Sequence, residues 1–162
     1  MNETEAAALQ HFMLQQPVAA LATLHQSAAE TAPAAAVSMV PFAVMAGGYL
    51  VIHISTLASH TRDLNLNPSA ALLVTAPIDS ASSPLALPRA SIQGRAAACP
   101  PDSPQYLQAR SVYLKRFAEA EELFGFSDFS LYVITPNAVR YVAGFGRAMS
   151  IGAERFGALF TE

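Results

Sequence analysis

Charged residues and cysteine are scarce in this sequence. Only 13% of its 162 residues are Asp, Glu, Lys or Arg, while 52% are hydrophobic. A chain with this composition is not disordered as a whole. Its single cysteine, Cys99, permits no internal disulfide. No run of about 18 apolar residues is free of polar interruption, so the sequence predicts no membrane-spanning helix.

The charge balance and the first residues narrow the expected partners and location. Nine Lys and Arg against twelve Asp and Glu give a net charge of −3, whereas nucleic-acid binding needs a basic surface. Residues 1–10 contain no Lys or Arg, so they do not resemble the basic start of a secretory signal. The four histidines show no zinc-ligand spacing, so no metal site is predicted. We expect a cytoplasmic protein without nucleic-acid or membrane partners.

The low charge also predicts self-association. A length of 162 residues fits a single domain over residues 1–162 with one core. A domain with few charged side chains cannot cover its whole surface with them, so part of its apolar surface is expected to face another subunit. A homodimer is therefore favoured over a monomer.

Apolar periodicity and turn residues predict about seven strands and three or four helices. Strands follow strands through tight turns without regular βαβ alternation, which favours an antiparallel barrel or sandwich with peripheral helices. Helices are predicted at residues 4–15, 55–67, 104–117 and 119–123. Strands are predicted at residues 18–24, 35–45, 49–54, 70–75, 89–98, 129–135 and 139–143. Turns or loops are predicted at 26–33 and 77–88, a bulge at Gly94, and an irregular or short helical tail after residue 143.

The segment STLASHTRDLNLNP, residues 55–68, is the most informative for function. It follows a strand and opens a helix, whose N-terminus offers unpaired N–H groups and partial positive charge to an anion. Hydroxyl donors and cations at such a position suit a phosphate monoester. Ordinary capping by Ser55 with solvated charges explains the same pattern equally well. The candidate donors are Ser55, Thr56, Ser59, His60, Thr61 and Arg62.

Motifs for direct catalysis by the protein are missing. Neither GxxxxGK[ST] nor GxGxxG occurs, and no nucleophile-elbow motif is present. Between residues 31 and 118 the carboxylates are Asp63, Asp79 and Asp102, too few to favour hydrolysis by paired carboxylates. These features favour a protein that leaves its reactive chemistry to a cofactor.

The order of several segments resembles the FMN-binding split barrel of the pyridoxamine 5′-phosphate oxidase-like superfamily. These segments are LATL, SMVPF, the Gly-Gly hairpin, ISTLASHTRDLNLNP, RASIQGRA and DFSLYVITPNAVRYVAGFGRA. The HT-x-D-L segment and the GFG-x-A segment resemble especially the branch related to haem-utilisation proteins. The resemblance implies a mainly β fold: a six- or seven-stranded antiparallel split β-barrel with flanking helices. It also implies a homodimer with FMN in a cleft between subunits.

The resemblance also implies where FMN would be held. The strand that contains Ser38 would lie along the isoalloxazine ring and ribityl chain. Ser59 and His60 fall where the oxidases place an Arg-Lys pair on the phosphate. Arg89 and Arg147 would approach the ring, Arg147 from the other subunit. The implied cofactor-binding residues are Ser38, Met39, Val40, Ser55, Thr56, Ser59, His60, Thr61, Arg89 and Arg147.

The leading hypothesis is a flavin-dependent oxidoreductase acting on an unidentified small molecule, with no catalytic residue assigned. Pyridoxamine phosphate oxidation itself is not expected, because the sequence contains no Arg-Leu-His-type C-terminal segment and no tryptophan. Two alternatives stay open: a haem-binding or haem-utilisation protein on the same fold without flavin, and a non-catalytic ligand-binding dimer. His53, which shares a strand face with Ser55, is either near the phosphate or a surface or interface histidine.

Overall fold

An antiparallel sheet forms most of the computed structural model, which describes residues 1–26, 32–78 and 83–161. The strands within these residues are β1 Val18–His25, β2 Ala34–Pro41, β3 Ala43–Val44, β4 Leu50–Ser55, β5 Ser69–Thr75, β6 Arg89–Ala98, β7 Phe129–Val142 and β8 Ala148–Gly152. The α-helices are α1 Glu3–Gln15, α2 Ser59–Leu66, α3 Tyr106–Arg116 and α4 Ala153–Gly157, and 3-10 helices span Ala46–Gly48, Pro84–Ala86 and Ala118–Gly125. None of these helices is long and apolar enough to cross a membrane.

The sheet curls because two neighbouring segments of the chain lie at its opposite edges. The strand order is β2-β1-β5-β6-β7-β4-β3, and β8 pairs with β7. Phe42, fully buried, is the single residue between β2 and β3, and its N–H donates to the carbonyl of Pro17 at 3.1 Å. The chain thus leaves one edge of the sheet and enters the other at Phe42. This arrangement confirms the predicted mainly β, antiparallel split barrel with flanking helices.

The barrel interior is the larger of two apolar cores. The strand register aligns one buried side chain from each of five strands, so alternate residues of these strands face inward. Helix α1 closes one side of this core with three buried residues at helical spacing. The aligned residues are Leu21, Leu72, Ile92, Val139 and Ile151, and those of α1 are Leu9, Phe12 and Met13.

A second core lies on the other face of β4 and β7, under α3. Val51 and His53 point into it, whereas the alternate residues of β4 point into the barrel. Tyr113 of α3 is buried there, and Tyr106 and Phe117 are partly buried against the same cluster. These three aromatic side chains therefore pack between the helix and the barrel.

The two final strands predicted on either side of Pro136-Asn137 are a single strand, β7. Gly94 of β6 pairs with Pro136, and Gln93 pairs with Ala138, which leaves Asn137 as an extra residue in β7. This is a β-bulge, a position where a sheet tolerates proline because the ladder is already interrupted. The predicted bulge at Gly94 is confirmed, and it is the reason why the predicted break is wrong.

Three other predicted boundaries change. The strand predicted over residues 35–45 is interrupted at Phe42, where the chain crosses between sheet edges. The tail predicted as irregular or a short helix contributes β8 before α4, because residues 148–152 find an open edge of β7. The turn predicted at 26–33 and the loop at 77–88 lie partly outside the described residues, at 27–31 and 79–82.

Replacement of Gly94 by alanine tests the bulge. A Cβ at Gly94 would lie 2.5 Å from the carbonyl oxygen of Thr135, which belongs to the neighbouring backbone and cannot rotate away. We expect Gly94→Ala to lower the free energy of unfolding by about 1–3 kcal/mol, the usual cost of overpacking. Urea denaturation measures this change.

Gly125→Ala is the matched control, because a Cβ there meets no heavy atom within 4 Å. Its free energy of unfolding should stay within about 0.5 kcal/mol of the wild type. Equal stability of the two variants would show that the close approach at Gly94 is not a constraint.

Candidate functional site

The segment before α2 is held by a turn rather than by a helix cap. The helix predicted from residue 55 begins at Ser59, with Ala58 as N-cap and no side-chain cap, so the expected capping by Ser55 or Thr56 is wrong. The Ser55 hydroxyl instead donates to Asp128 Oδ2 at 3.1 Å, and the Thr56 N–H donates to the carbonyl of Asp128 at 2.6 Å. These bonds tie the end of β4 to the residue preceding β7, so the backbone turns before it becomes helical.

Two predicted residues from separate elements meet at the start of α2. The Nδ1 atom of His60 lies 3.1 Å from the hydroxyl of Ser38 on β2. Nε2 of the same ring is buried and has no hydrogen-bond partner in the described parts of the chain. Burial lowers the pKa of His60, against the opposing charge of Asp63, so the imidazole is less readily protonated than a solvated one.

The remaining predicted residues of this region differ in accessibility. The Thr61 hydroxyl is buried and donates to the carbonyl of Ser55 at 2.6 Å. Thr56 and Ser59 are exposed. On β2, Val40 points into the core while its neighbour Met39 points outward and is 66% exposed. A ligand beside β2 would therefore meet backbone groups of the sheet edge and the outward side chains.

A buried carboxylate of α2 was missed by sequence reasoning. Asp63 is 1% exposed, and its Oδ1 lies 2.8 Å from Nδ1 of His25. Its Oδ2 accepts the hydroxyl of Thr23 at 3.0 Å. The alternation of side chains along β1 indicated that Thr23 and His25 point inward, because they lie on the same face of the strand as the buried Leu21.

The start of α2 does not fit the phosphate of FMN. A phosphate dianion is normally bound by fixed cations and free donors. Residues 55–68 contain one such cation, Arg62, whose side chain is exposed. The hydroxyls of Ser55 and Thr61 already donate within the protein, and Asp63 and Asp128 add negative charge nearby.

A row of side chains crosses five strands on the outer face of the barrel. The register aligns Met39, Ala20, Leu73, Ser91 and Arg140 in one row across β2, β1, β5, β6 and β7. Met39 and Leu73 are exposed at the apolar end of this row. The row thus runs from an uncovered apolar surface to a cationic one.

An arginine-lined groove lies at the cationic end of this row. It encloses a cavity of about 400 Å³, with Leu73 and Val142 among its apolar walls. Arg89, Arg140 and Arg147 line it, so the structure brings together two predicted residues and one that the sequence did not indicate. The signal for Arg140 was its place on β7, since outward residues alternate with the buried Val139 and Tyr141.

Two of these arginines are already held by neighbouring groups. Arg89 Nη1 donates to the carbonyls of Leu85 and Leu87 at 3.3 and 3.2 Å. Arg147 Nη2 lies 3.3 Å from Glu5 Oε1 of α1. The side chain of Arg140 is exposed. Arg147 is exposed as well and Arg89 is half-buried, so two of the three guanidinium groups are accessible.

The predicted cofactor-binding residues are divided between two places. Ser38 points to the inner face of the sheet, where it contacts His60 of α2. Arg89 points to the outer face of the sheet, where it pairs with Val142. Arg147 lines the arginine-lined groove together with both residues.

These features define a split-barrel protein with a helix beside its edge strand and an arginine-lined groove on its outer face. The family model of pyridoxamine 5′-phosphate oxidase matches residues 6–143, so the chain belongs to that family.

Several related proteins are named for haem. The chain is 34% identical over 119 residues to the non-canonical heme oxygenase HOZ of Arabidopsis thaliana, covering 74% of this chain and 35% of that protein. It is 29% identical over 119 residues to heme oxygenase HutZ of Vibrio cholerae, covering 73% and 67%. A heme binding protein from Mycobacterium smegmatis superposes with a TM-score of 0.81 at 32% identity, covering 98% of this chain and 62% of that one. The chain thus spans about a third of the Arabidopsis protein and under two thirds of the Mycobacterium protein.

His53 lies away from both sets of residues. It is 6% exposed, and its ring stacks on Phe124 with centroids 4.0 Å apart. Tyr113 and Phe129 surround it, so the alternatives of a phosphate neighbour and of a surface histidine within the protomer are both wrong. Burial in this aromatic cluster lowers the pKa of His53 to about 4.

The low pKa of His53 predicts a loss of stability in acid. The imidazole takes up a proton near pH 6.5 in the unfolded chain and near pH 4 in the folded chain. The free energy of unfolding therefore has its full value above pH 6.5 and decreases as the pH falls from 6.5 to 4. His53→Phe should remove about 2–3 kcal/mol of this loss between pH 7 and pH 4.5. Urea denaturation at both pH values measures it.

His11→Phe, at an exposed position of α1, is the control and should leave the pH dependence unchanged. The same pH dependence in His53→Phe as in the wild type would contradict a neutral buried imidazole at this position.

Proposed function

We propose that this chain is a haem-binding protein that works as a homodimer. The observation that carries the proposal is the groove of Arg89, Arg140 and Arg147 against apolar walls. Haem is a flat apolar ring with two carboxylates on one edge. Guanidinium groups pair with carboxylates in planar, two-point geometry, and apolar walls suit the macrocycle. The donor set of the groove therefore fits haem.

The comparison with FMN supports the same choice. Membership of the oxidase family favours a flavin, but the start of α2 does not provide the cations that an FMN phosphate needs. Two relatives are named as haem oxygenases and one as a haem-binding protein. The haem alternative is therefore better supported than the flavin-dependent oxidoreductase that the sequence favoured.

The uncovered outer face supports a dimer. Four large apolar side chains point to the outer face of the adjacent strands β2, β1 and β5. Their exposed fractions are 71% for Val37, 66% for Met39, 42% for Leu73 and 41% for Val18. Contiguous exposed apolar surface of this kind marks an interaction site. A second copy that covers it would bring the groove of one protomer towards β2 and α2 of the other.

The roles of the protein residues follow from this arrangement. The guanidinium groups of the groove would bind the carboxylates and fix the orientation of the ring, while Leu73 and Val142 would exclude water from one side of it. Haem, when bound, supplies the iron for redox or oxygen chemistry. The chain contributes binding and orientation, and no acid or base is assigned to a reaction.

Titration with hemin and with FMN tests the proposal. The wild type should develop a protein-bound Soret band with hemin and bind FMN more weakly. Arg140→Gln removes one accessible cation of the groove, and we expect the Kd for hemin to rise about 10- to 100-fold, the value of a hydrogen bond to a charged group. Absorbance titration measures both constants.

Arg95→Gln makes the same charge change at an exposed position of β6 outside the groove, and should leave the Kd for hemin unchanged. Tight FMN binding without a Soret response would contradict the haem proposal and support the flavin hypothesis. Binding of neither cofactor by a stable dimer would support a non-catalytic ligand-binding protein.

A further inference from the structure

We propose that a groove between α1 and α3 binds an amphipathic carboxylate, with the carboxylate on Arg116 and the alkyl chain along the apolar walls. This helix groove encloses a cavity of about 580 Å³, a size typical of small-molecule sites. It shares no lining residue with the arginine-lined groove. The proposal therefore goes beyond haem binding and does not depend on it.

The walls of the helix groove are largely apolar. Leu14 on α1 is exposed beside the cavity, and Val112 on α3 is half-buried on its opposite wall. Phe160, from the segment after α4, is buried at its base. The lining residues of α3 extend from Gln108 to Arg116, which spans about 12 Å at 1.5 Å per residue. An alkyl chain of medium length, such as that of decanoate, fits along this distance.

Hydrogen bonds hold the wall that contains Phe160 in place. The carbonyl of Phe160 accepts the N–H of Gly47 at 2.7 Å. The side-chain amide of Gln10 on α1 donates to the carbonyl of Leu159 at 2.5 Å. These bonds connect the first helix, the turn before β4 and the C-terminal segment. The cavity is therefore formed before a ligand arrives, which lowers the entropic cost of binding.

Arg116 is a half-buried cation without an anionic partner. Its Nη2 donates to the carbonyl of Gln16, the residue that follows α1. The guanidinium also lies over two aromatic rings, 5.3 Å from the centroid of Phe42 and 5.8 Å from that of Phe117. In the part of the chain that the structure describes, Arg116 forms no ion pair. Since buried charges are normally paired, this cation lacks the anion that such a site needs.

The pKa of Arg116 agrees with a missing anion. Burial lowers this pKa, whereas a neighbouring carboxylate would raise it. A guanidinium group carries five N–H donors in a planar fork. After the bond to Gln16, donors therefore remain for the two oxygens of a ligand carboxylate.

The helix dipole explains Lys115 but not Arg116. Both residues lie in the last turn of α3, where cations interact favourably with the carbonyl end of the helix. Lys115 is exposed and can serve this purpose. The guanidinium of Arg116 instead reaches the end of α1 at Gln16. Its position at the cavity therefore has a different cause.

The combination of groups in the helix groove selects the class of ligand. A small inorganic anion would pair with Arg116 but leave Leu14 and Val112 in contact with water. A neutral alkyl ligand would cover these walls but leave the cation unpaired. A phosphate dianion favours several fixed cations, and here the second cation, Lys115, is exposed. An alkyl carboxylate satisfies both the walls and the single positioned guanidinium.

Calorimetric titration of the full chain with decanoate tests the proposal. The wild type should show one saturable site in the helix groove. Each buried methylene should increase the affinity about fourfold, so octanoate should bind about tenfold more weakly than decanoate. Decanol has the same alkyl chain without the charge, and it should bind at least tenfold more weakly than decanoate.

Two substitutions locate the decanoate. Arg116→Gln should weaken its binding about 10- to 100-fold, the value of a hydrogen bond to a charged group. Because Arg116 also makes contacts within the protein, Leu14→Glu provides a second test at an exposed position. It adds a carboxylate to the apolar wall and should weaken binding at least tenfold. Leu107→Glu makes the same change at an exposed position of α3 outside the groove, and should bind decanoate as the wild type does.

Every result supports or overturns the proposal. Absence of saturable decanoate binding by the wild type overturns it, as does wild-type affinity in Leu14→Glu or equal affinity for decanol. Weaker binding in Arg140→Gln, with Arg116→Gln unchanged, would place decanoate in the arginine-lined groove and would also overturn it. Hemin titration is a separate measurement, so its failure removes the proposed function alone.

Discussion

The strand register is the constraint on which the rest of this structure depends. Six strands are aligned so that Leu21, Ile92 and their inner neighbours fill the barrel, while Met39 and Arg140 occupy the row beside them on the outer face. A slip of one residue would exchange the two faces of a strand. The same pairing therefore determines the core, the exposed apolar surface and the location of the arginine-lined groove.

Local patterns predicted those parts of the fold that depend on neighbouring residues. The alternation of Leu50 and Ile52 with Val51 and His53 identified a strand between two environments, and both environments are observed. Pro136 was misleading because its effect depends on a residue far away in sequence. It continues β7 because Gly94 on β6 lets the backbones approach closely at a bulge. No local window contains both residues.

The candidate site was likewise predicted in part, and its unpredicted contact joins residues that are far apart in the sequence. The resemblance to the oxidase family indicated Arg89 and Arg147, and the structure brings these residues to one groove. The contact between Asp63 and His25 was not predicted, because it forms only when α2 packs against β1. A carboxylate inside a short polar helix has the sequence signature of a solvated group. Its burial becomes visible only in three dimensions.

The place of β7 in the sheet has a consequence for how the chain reaches this fold. This strand hydrogen-bonds to β4, β6 and β8, and so joins residues 50–55 and 89–98 to residues 129–142. Such pairings give a high contact order, which slows folding. During synthesis the ribosome must release nearly 150 residues before the barrel can close. Until β7 has emerged, the edges of β4 and β6 that face it are unpaired, and unpaired strand edges are prone to aggregation.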